Sequence, residues 1–134
     1  MPSSDTQSVV PFDPIYRTFG PLFFPTGTAA LVVDAWFEVY YAFEDVTLVE
    51  VVSETDTGTA DFDLELRAKG ALETTGTAMT SADIQAVDGA TTTLAFSNAF
   101  VPAGRSIVAY IRAVSAATML SIKGALTRTR RLAD

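Results

Sequence analysis

Apolar residues recur at every second position over much of the chain, which is the periodicity of a β-strand. The longest such run covers residues 31–43, where seven successive odd positions are apolar. Residues 61–67 alternate as strictly, with Phe62, Leu64 and Leu66 set between charged neighbours. The same reasoning predicts further strands at residues 45–53, 91–97, 106–114 and 119–129. The pattern therefore predicts a fold built from many short strands.

Turn-forming pairs separate these runs, and the strongest hairpin signal among them is Asp88-Gly89. Residues 81–87 are the one helical candidate, with Ser81 as a potential cap. Short strands joined by polar turns are typical of β-sandwiches and small barrels. We therefore expect an all-β fold over residues 31–134: an antiparallel β-sandwich, jelly-roll-like, of about eight strands.

Residues 1–30 have a different composition, with five of the six prolines and several aromatic rings. Proline at this density disfavours helices and central strands, whereas the rings are too many for a solvated linker. We expect an extended N-terminal arm that lies either on its own domain or on a neighbouring subunit. Its expected partner-binding residues are Phe12, Tyr16, Phe19, Phe23 and Phe24.

The composition excludes several classes of function. A chain of 134 residues without cysteine suits one domain without disulfides, and the absence of histidine removes the commonest general base and transition-metal ligand. A net charge of −7 argues against nucleic acid as the main partner. Neither a secretion signal nor a membrane-spanning segment is expected, so synthesis in the cytoplasm is predicted.

Charge is unevenly distributed along the chain: residues 101–134 hold six of the nine basic residues and one of the 16 acids. One interpretation is a basic docking patch on an acidic body. The other is a solvated basic last strand. The residues concerned are Lys123, Arg128, Arg130 and Arg131.

Two patterns resemble catalytic sites but are better explained as structure. Asp56-Thr57-Gly58 is the tripeptide of aspartic proteases, yet it follows Ser53-Glu54-Thr55 and is expected at an exposed hairpin tip. Asp61, Asp63 and Glu65 share one face of a strand, which is expected to be its solvent face. We therefore expect no enzymatic activity, no catalytic residue, no metal site and no cofactor.

Trp36 and Tyr40 have the same parity in the first strand. They are expected to form a glycan-binding platform, an oligomer interface or part of the core. Several strands are apolar on both parities, and the mean hydropathy is +0.28. Surplus apolar surface usually marks a partner surface, so a homo-oligomer is expected.

Residues 45–130 resemble small structural proteins of tailed-bacteriophage virions. The similarity lies in the strand and turn of residues 45–64, the turn Pro102-Ala103-Gly104, the loop of residues 115–118 and the closing strand ending in residues 126–130. The resemblance implies a virion location and a non-enzymatic role as a capsid decoration (cement) protein, as a trimer that binds the major capsid protein. The alternative that it implies is a tail-fibre or head-fibre module that binds a host glycan or receptor.

Overall fold

The computed structural model describes residues 16–25 and 31–128, and the described residues form an all-β structure with no helix. The all-β prediction is confirmed. The ten strands are β1 (Tyr16–Phe24), β2 (Trp36–Tyr41), β3 (Val46–Thr55), β4 (Thr59–Ala68), β5 (Thr77–Ala78), β6 (Ile84–Val87), β7 (Thr91–Thr93), β8 (Phe100–Val101), β9 (Arg105–Ser115) and β10 (Leu120–Arg128).

The strands form two five-stranded sheets, and every strand pairing within them is antiparallel. The first sheet has the order β2-β9-β4-β5, with β6 also paired to β4. The second has the order β1-β10-β3-β7, with β8 also paired to β3. Apolar side chains from both sheets form one buried cluster, so the sheets share a core.

The expected count of about eight strands is wrong, because one edge of each sheet is divided. Two short strands, β5 and β6, pair with β4, and two others, β7 and β8, pair with β3. The residues expected to form a helix, 81–87, contain strand β6 instead. Ile84 and Ala86 are two residues apart and both are buried. A strand paired with β4 places both side chains on the same buried face, which a two-turn helix would not do.

Two predicted hairpin turns are instead connections between the sheets. Asp88-Gly89 joins β6 of the first sheet to β7 of the second, and Thr57-Gly58 joins β3 of the second sheet to β4 of the first. Turn residues indicate where the backbone changes direction. They do not indicate which strands pair, because pairing depends on which strands lie side by side in the tertiary structure. These prediction errors therefore concern pairing rather than the positions of the turns.

Strand β1 comes from the stretch expected to be an arm, but it is part of the second sheet and pairs with β10 along most of its length. The Phe19 and Phe24 side chains are buried in the shared core. Phe24 stacks on Phe37 with ring centroids 4.3 Å apart, and the Phe19 ring lies 5.9 Å from that of Tyr40. These two rings pack on their own chain. Phe23 points outward and is exposed, and Phe12 lies outside the described residues.

Candidate functional site

The carboxylates expected on a solvent face are largely buried. On the outer face of the first sheet, the exposed fractions are 7% for Asp63, 1% for Glu65 and 2% for Arg67. The segment after β4 covers this face, because the Arg67 Nη1 donates to the Leu72 carbonyl at 2.6 Å and the Gly76 N–H donates to Glu65 Oε1 at 3.0 Å. The expected solvent exposure is therefore wrong for Asp63 and Glu65.

The buried charges are paired by hydrogen bonds. Arg67 donates from Nε (3.1 Å) and Nη2 (3.0 Å) to Glu65 Oε1. Arg112 on β9 donates from Nη2 to Glu65 Oε2 at 3.2 Å and to Asp63 Oδ2 at 3.1 Å. Two cations thus balance two anions, which offsets the large cost of taking charged groups out of water. The four residues are named the ionic cluster.

The two acids of the ionic cluster have opposite pKa shifts. Burial raises the pKa of Asp63, and the negative charge of the neighbouring Glu65 acts in the same direction, together outweighing the hydrogen bond from Arg112. Burial also raises the pKa of Glu65, but the hydrogen bonds from Gly76 and Arg67 outweigh it and hold the pKa below its ordinary value. Both Glu65 oxygens accept hydrogen bonds within the protein, so the cluster links β4, β9 and the covering segment.

Two aromatic rings border the ionic cluster. The Arg67 guanidinium carbon lies 5.5 Å from the Trp36 ring centroid and 5.6 Å from that of Tyr110, and Arg112 lies 4.4 Å from the Tyr110 centroid. The Tyr110 hydroxyl donates to Asp34 Oδ1, and this hydrogen bond raises the pKa of Tyr110. Sequence reasoning missed Arg67, Arg112 and Tyr110. A signal existed for Arg67, which has the same parity as the acidic row.

Trp36 and Tyr40 lie on opposite faces of the first sheet, so they do not form one platform. The pairing of β2 with β9 changes register between Ile107 and Val108, which leaves one extra residue in β2 and reverses the parity between the residues on its two sides. Trp36 pairs with Tyr110 on the outer face, whereas Tyr40 pairs with Ile107 and packs against the core. Tyr40 is therefore partly buried against the core.

Asp56 fixes the connection between β3 and β4 to the segment that precedes β10. Its Oδ1 accepts hydrogen bonds from the Thr118 and Met119 N–H groups at 3.0 Å each, and its Oδ2 accepts one from the Thr118 hydroxyl. The hydrogen bonds from Thr118 hold the pKa of Asp56 at about 2. The carboxylate of the protease-like tripeptide is exposed and engaged in a turn.

An open cavity of about 350 Å³ lies beside this turn, at the outer face of the second sheet. Its apolar lining residues are Pro21, Phe23 and Met119, of which Phe23 is 49% exposed and Met119 37% exposed. Its polar lining residues include Glu54, Asp56 and Lys123. We name it the Glu54 cavity.

The residues of the expected basic patch are separated. Lys123 lines the Glu54 cavity, whereas Arg128 lies five residues further along β10, about 17 Å away. Arg128 Nε pairs with Glu44 Oε1 at 2.7 Å, and Arg17 Nη2 pairs with the other oxygen of the same carboxylate at 2.9 Å. Arg130 and Arg131 lie outside the described residues.

Exposed apolar side chains concentrate around two neighbouring edge strands. Among the residues that the structure describes, strands β1 and β2 each form the edge of a sheet, and they lie on the same side of the fold because Phe24 stacks on Phe37. Seven large apolar residues are exposed among those described, and four lie in or beside these strands. These four, named the edge patch, are Phe23, Val32, Val33 and Phe43.

Within residues 16–25 and 31–128, no group of three or more acidic side chains could hold a metal ion, and no helix is long and apolar enough to cross a membrane. Comparisons of the chain with protein-family models, curated proteins and solved structures give no match.

Proposed function

We propose that this protein is a non-enzymatic structural component of a virus particle, a capsid decoration (cement) protein that assembles as a homo-oligomer, a trimer, and binds the major capsid protein. The observation that carries the proposal is the edge patch. Its most exposed member, Phe43, has 88% of its surface accessible to solvent. Burying one such side chain contributes about 1.5–3 kcal/mol before the costs of association.

The strand order supports a jelly-roll-like β-sandwich. Consecutive long strands alternate between the sheets: β1 and β3 belong to the second, β2 and β4 to the first, and β9 and β10 return as the inner neighbours of β2 and β1. In a jelly roll, eight strand positions follow this order. In this proposal, the ten described strands correspond to eight positions, because β5 with β6 and β7 with β8 each divide one edge.

The open edges themselves favour an assembly role. An edge strand with unpaired backbone groups and exposed apolar neighbours can pair with a strand of another chain. Monomeric proteins usually prevent this with charges, proline or a covering segment. Strand β1 contains Pro21, which protects it, whereas β2 has a single charged residue, Glu38, and neither proline nor lysine. In the proposed assembly, a neighbouring subunit or the capsid covers β2 and the edge patch, and residues 1–15 add a further contact.

The oligomer is tested by light scattering coupled to chromatography on wild type and on Phe43→Asp. The expected result is a trimer for the wild type and a smaller species for the variant. Leu94→Asp is the matched control, since Leu94 is also strongly exposed but follows β7 at the far edge of the second sheet. A monomeric wild type, or equal effects of the two substitutions, would contradict the edge patch as the interface.

The virion role needs a separate measurement. Purified protein is mixed with virus particles from the same source and sedimented through a density gradient. Co-sedimentation of the wild type and its loss in Phe43→Asp are expected. Protein that stays at the top of the gradient in both forms would refute the decoration role.

A second candidate function is a tail-fibre or head-fibre module that binds a host glycan. Trp36 and Tyr110 favour it, because both rings lie on the outer face of the first sheet beside charged hydrogen-bonding groups, as sugar-binding sites require. Trp36 is the single tryptophan, so its fluorescence reports on that face directly. A saturable change on addition of host surface polysaccharide supports this function, and an unchanged spectrum rejects it.

A further inference from the structure

We propose that the Glu54 cavity receives the basic segment Arg130-Arg131-Leu132 of a second copy of this chain, so that subunits join end to end. This contact deepens the assembly role proposed above by naming the partner of one surface. The cavity belongs to the end of the fold that carries the connections at Asp56 and at residues 116–119. The basic segment follows Arg128, at the opposite end.

The cavity offers what such a segment needs. Glu54 and Asp56 supply negative charge, and the hydrogen bonds that hold the pKa of Asp56 at about 2 keep it ionised throughout the neutral range. Exposed Phe23 and Met119 supply an apolar wall for a leucine side chain and for the methylene stems of arginines. Lys123 also lines the cavity and opposes the incoming cations, so the net charge of the wall is −1.

The segment of the same chain is poorly placed to enter this cavity. Ser121 lines the cavity, and Arg128 is seven residues further along β10, about 23 Å away. Arg130 and Arg131 are two and three residues beyond Arg128, and three residues span at most about 11 Å of backbone, so the chain would have to reverse direction and run back fully extended along β10. At the Arg128 end of β10, Glu44 already pairs with Arg17 and Arg128 through its two oxygens. A second copy needs no such reversal and is therefore the favoured occupant.

A contact of this kind is heterologous, since it joins two different surfaces of the same chain. Such contacts close into a ring or continue as a filament. They also make a distinctive prediction: a subunit that has lost its cavity and a subunit that has lost its basic segment can still join each other once.

The experiment measures self-association by sedimentation velocity in the Phe43→Asp background, which removes the edge-patch contact. Glu54→Lys and the double variant Arg130→Ala/Arg131→Ala should each weaken self-association at least tenfold. An equimolar mixture of the two should form one-to-one heterodimers and nothing larger. Glu73→Lys, which reverses an exposed charge outside the cavity, is the control and should leave association unchanged.

Lys123→Glu separates a local contact from a general charge effect. It makes the chain more negative, which would weaken self-association through overall repulsion, yet it should strengthen the proposed contact about threefold or more. Unchanged association in both cavity and segment variants, an equal loss in Glu73→Lys, or weaker association in Lys123→Glu would each overturn the contact. If the charge variants have no effect while Phe43→Asp still dissociates the wild-type oligomer, the end-to-end contact fails and the assembly role stands.

Discussion

Replacing Arg67 with methionine removes a buried guanidinium and keeps an unbranched apolar stem. The change removes two hydrogen bonds to Glu65 and one to the Leu72 carbonyl, together with the contacts to the rings of Trp36 and Tyr110. Removing one partner of a buried ion pair costs about 3–5 kcal/mol, because the other charge is left uncompensated. We expect a loss of this size, which is a large part of the roughly 5–15 kcal/mol that stabilises a typical domain.

The assay is equilibrium unfolding in urea, followed by circular dichroism and by the fluorescence of Trp36. Arg128→Met is the matched control. Arg128 also pairs with a glutamate, but its side chain is 39% exposed, so its loss should cost at most about 1 kcal/mol. If Arg67→Met unfolds within about 1 kcal/mol of the wild type, or no more easily than Arg128→Met, the ionic cluster does not stabilise the fold as argued.

A double variant distinguishes a lost ion pair from lost packing. Glu65→Gln combined with Arg67→Met removes both charges, keeps an acceptor for the Gly76 N–H and leaves the pair of Arg112 with Asp63 intact. Because no uncompensated charge remains, the double variant should be more stable than Arg67→Met alone by about 1 kcal/mol or more. A double variant less stable than the single one would assign the effect to packing.

Three further predictions concern the core, the turn at Asp56 and the covering segment. Phe24→Ala should lower the free energy of unfolding in urea by about 3–5 kcal/mol because the ring is buried in the core. Phe23→Ala should lower it by under about 1 kcal/mol, because that ring is exposed. Equal losses of stability would mean that β1 is not part of the core. The pKa of Asp56 is lowered from 3.8 to about 2, so its stabilising effect is complete above the higher value and is lost as the pH falls toward the lower one. The stability difference between wild type and Asp56→Asn should therefore be constant at neutral pH and shrink between about pH 4 and 2; a pH-independent difference would contradict this. Gly76→Ala should destabilise the fold strongly, since the added carbon would lie 1.8 Å from the Leu66 carbonyl oxygen. Gly70→Ala, where nothing lies within 4 Å of the added carbon, should lower the free energy of unfolding by only about 1–2 kcal/mol because of its backbone conformation. Equal losses of stability in the two variants would contradict the close approach of Gly76 as the cause.

The alternation of apolar and polar residues predicted most of the strands. In residues 61–67 it gave both the strand and its inward side chains, because Phe62, Leu64 and Leu66 are all buried. The same alternation was misleading for Trp36 and Tyr40, since the extra residue in β2 reverses the parity. Such a bulge depends on how β2 pairs with β9, and the register of that pairing cannot be predicted from the sequence of β2 alone.

The charged residues of β4 show a second limit of local reasoning. The pattern predicts that Asp63 and Glu65 lie on a solvent face, because acidic residues that alternate with apolar ones in a strand are normally exposed. Their burial requires Arg112, 47 residues away from Glu65, and a covering segment whose Gly76 approaches the β4 backbone closely. Only one part of the ionic cluster was readable locally: Arg67 follows Glu65 at a spacing of two, on the same face.

The sequence by itself determined that this protein is all-β, where most of its strands lie and which side chains of β4 and β10 point inward. These properties follow from the period of two along each strand and from the turn residues between strands, both of which are local. The tertiary structure alone decided which strands pair, which turns cross between the sheets and which charges are buried. Those outcomes depend on contacts between residues far apart in the chain, where burial of apolar area and pairing of charges override local preference.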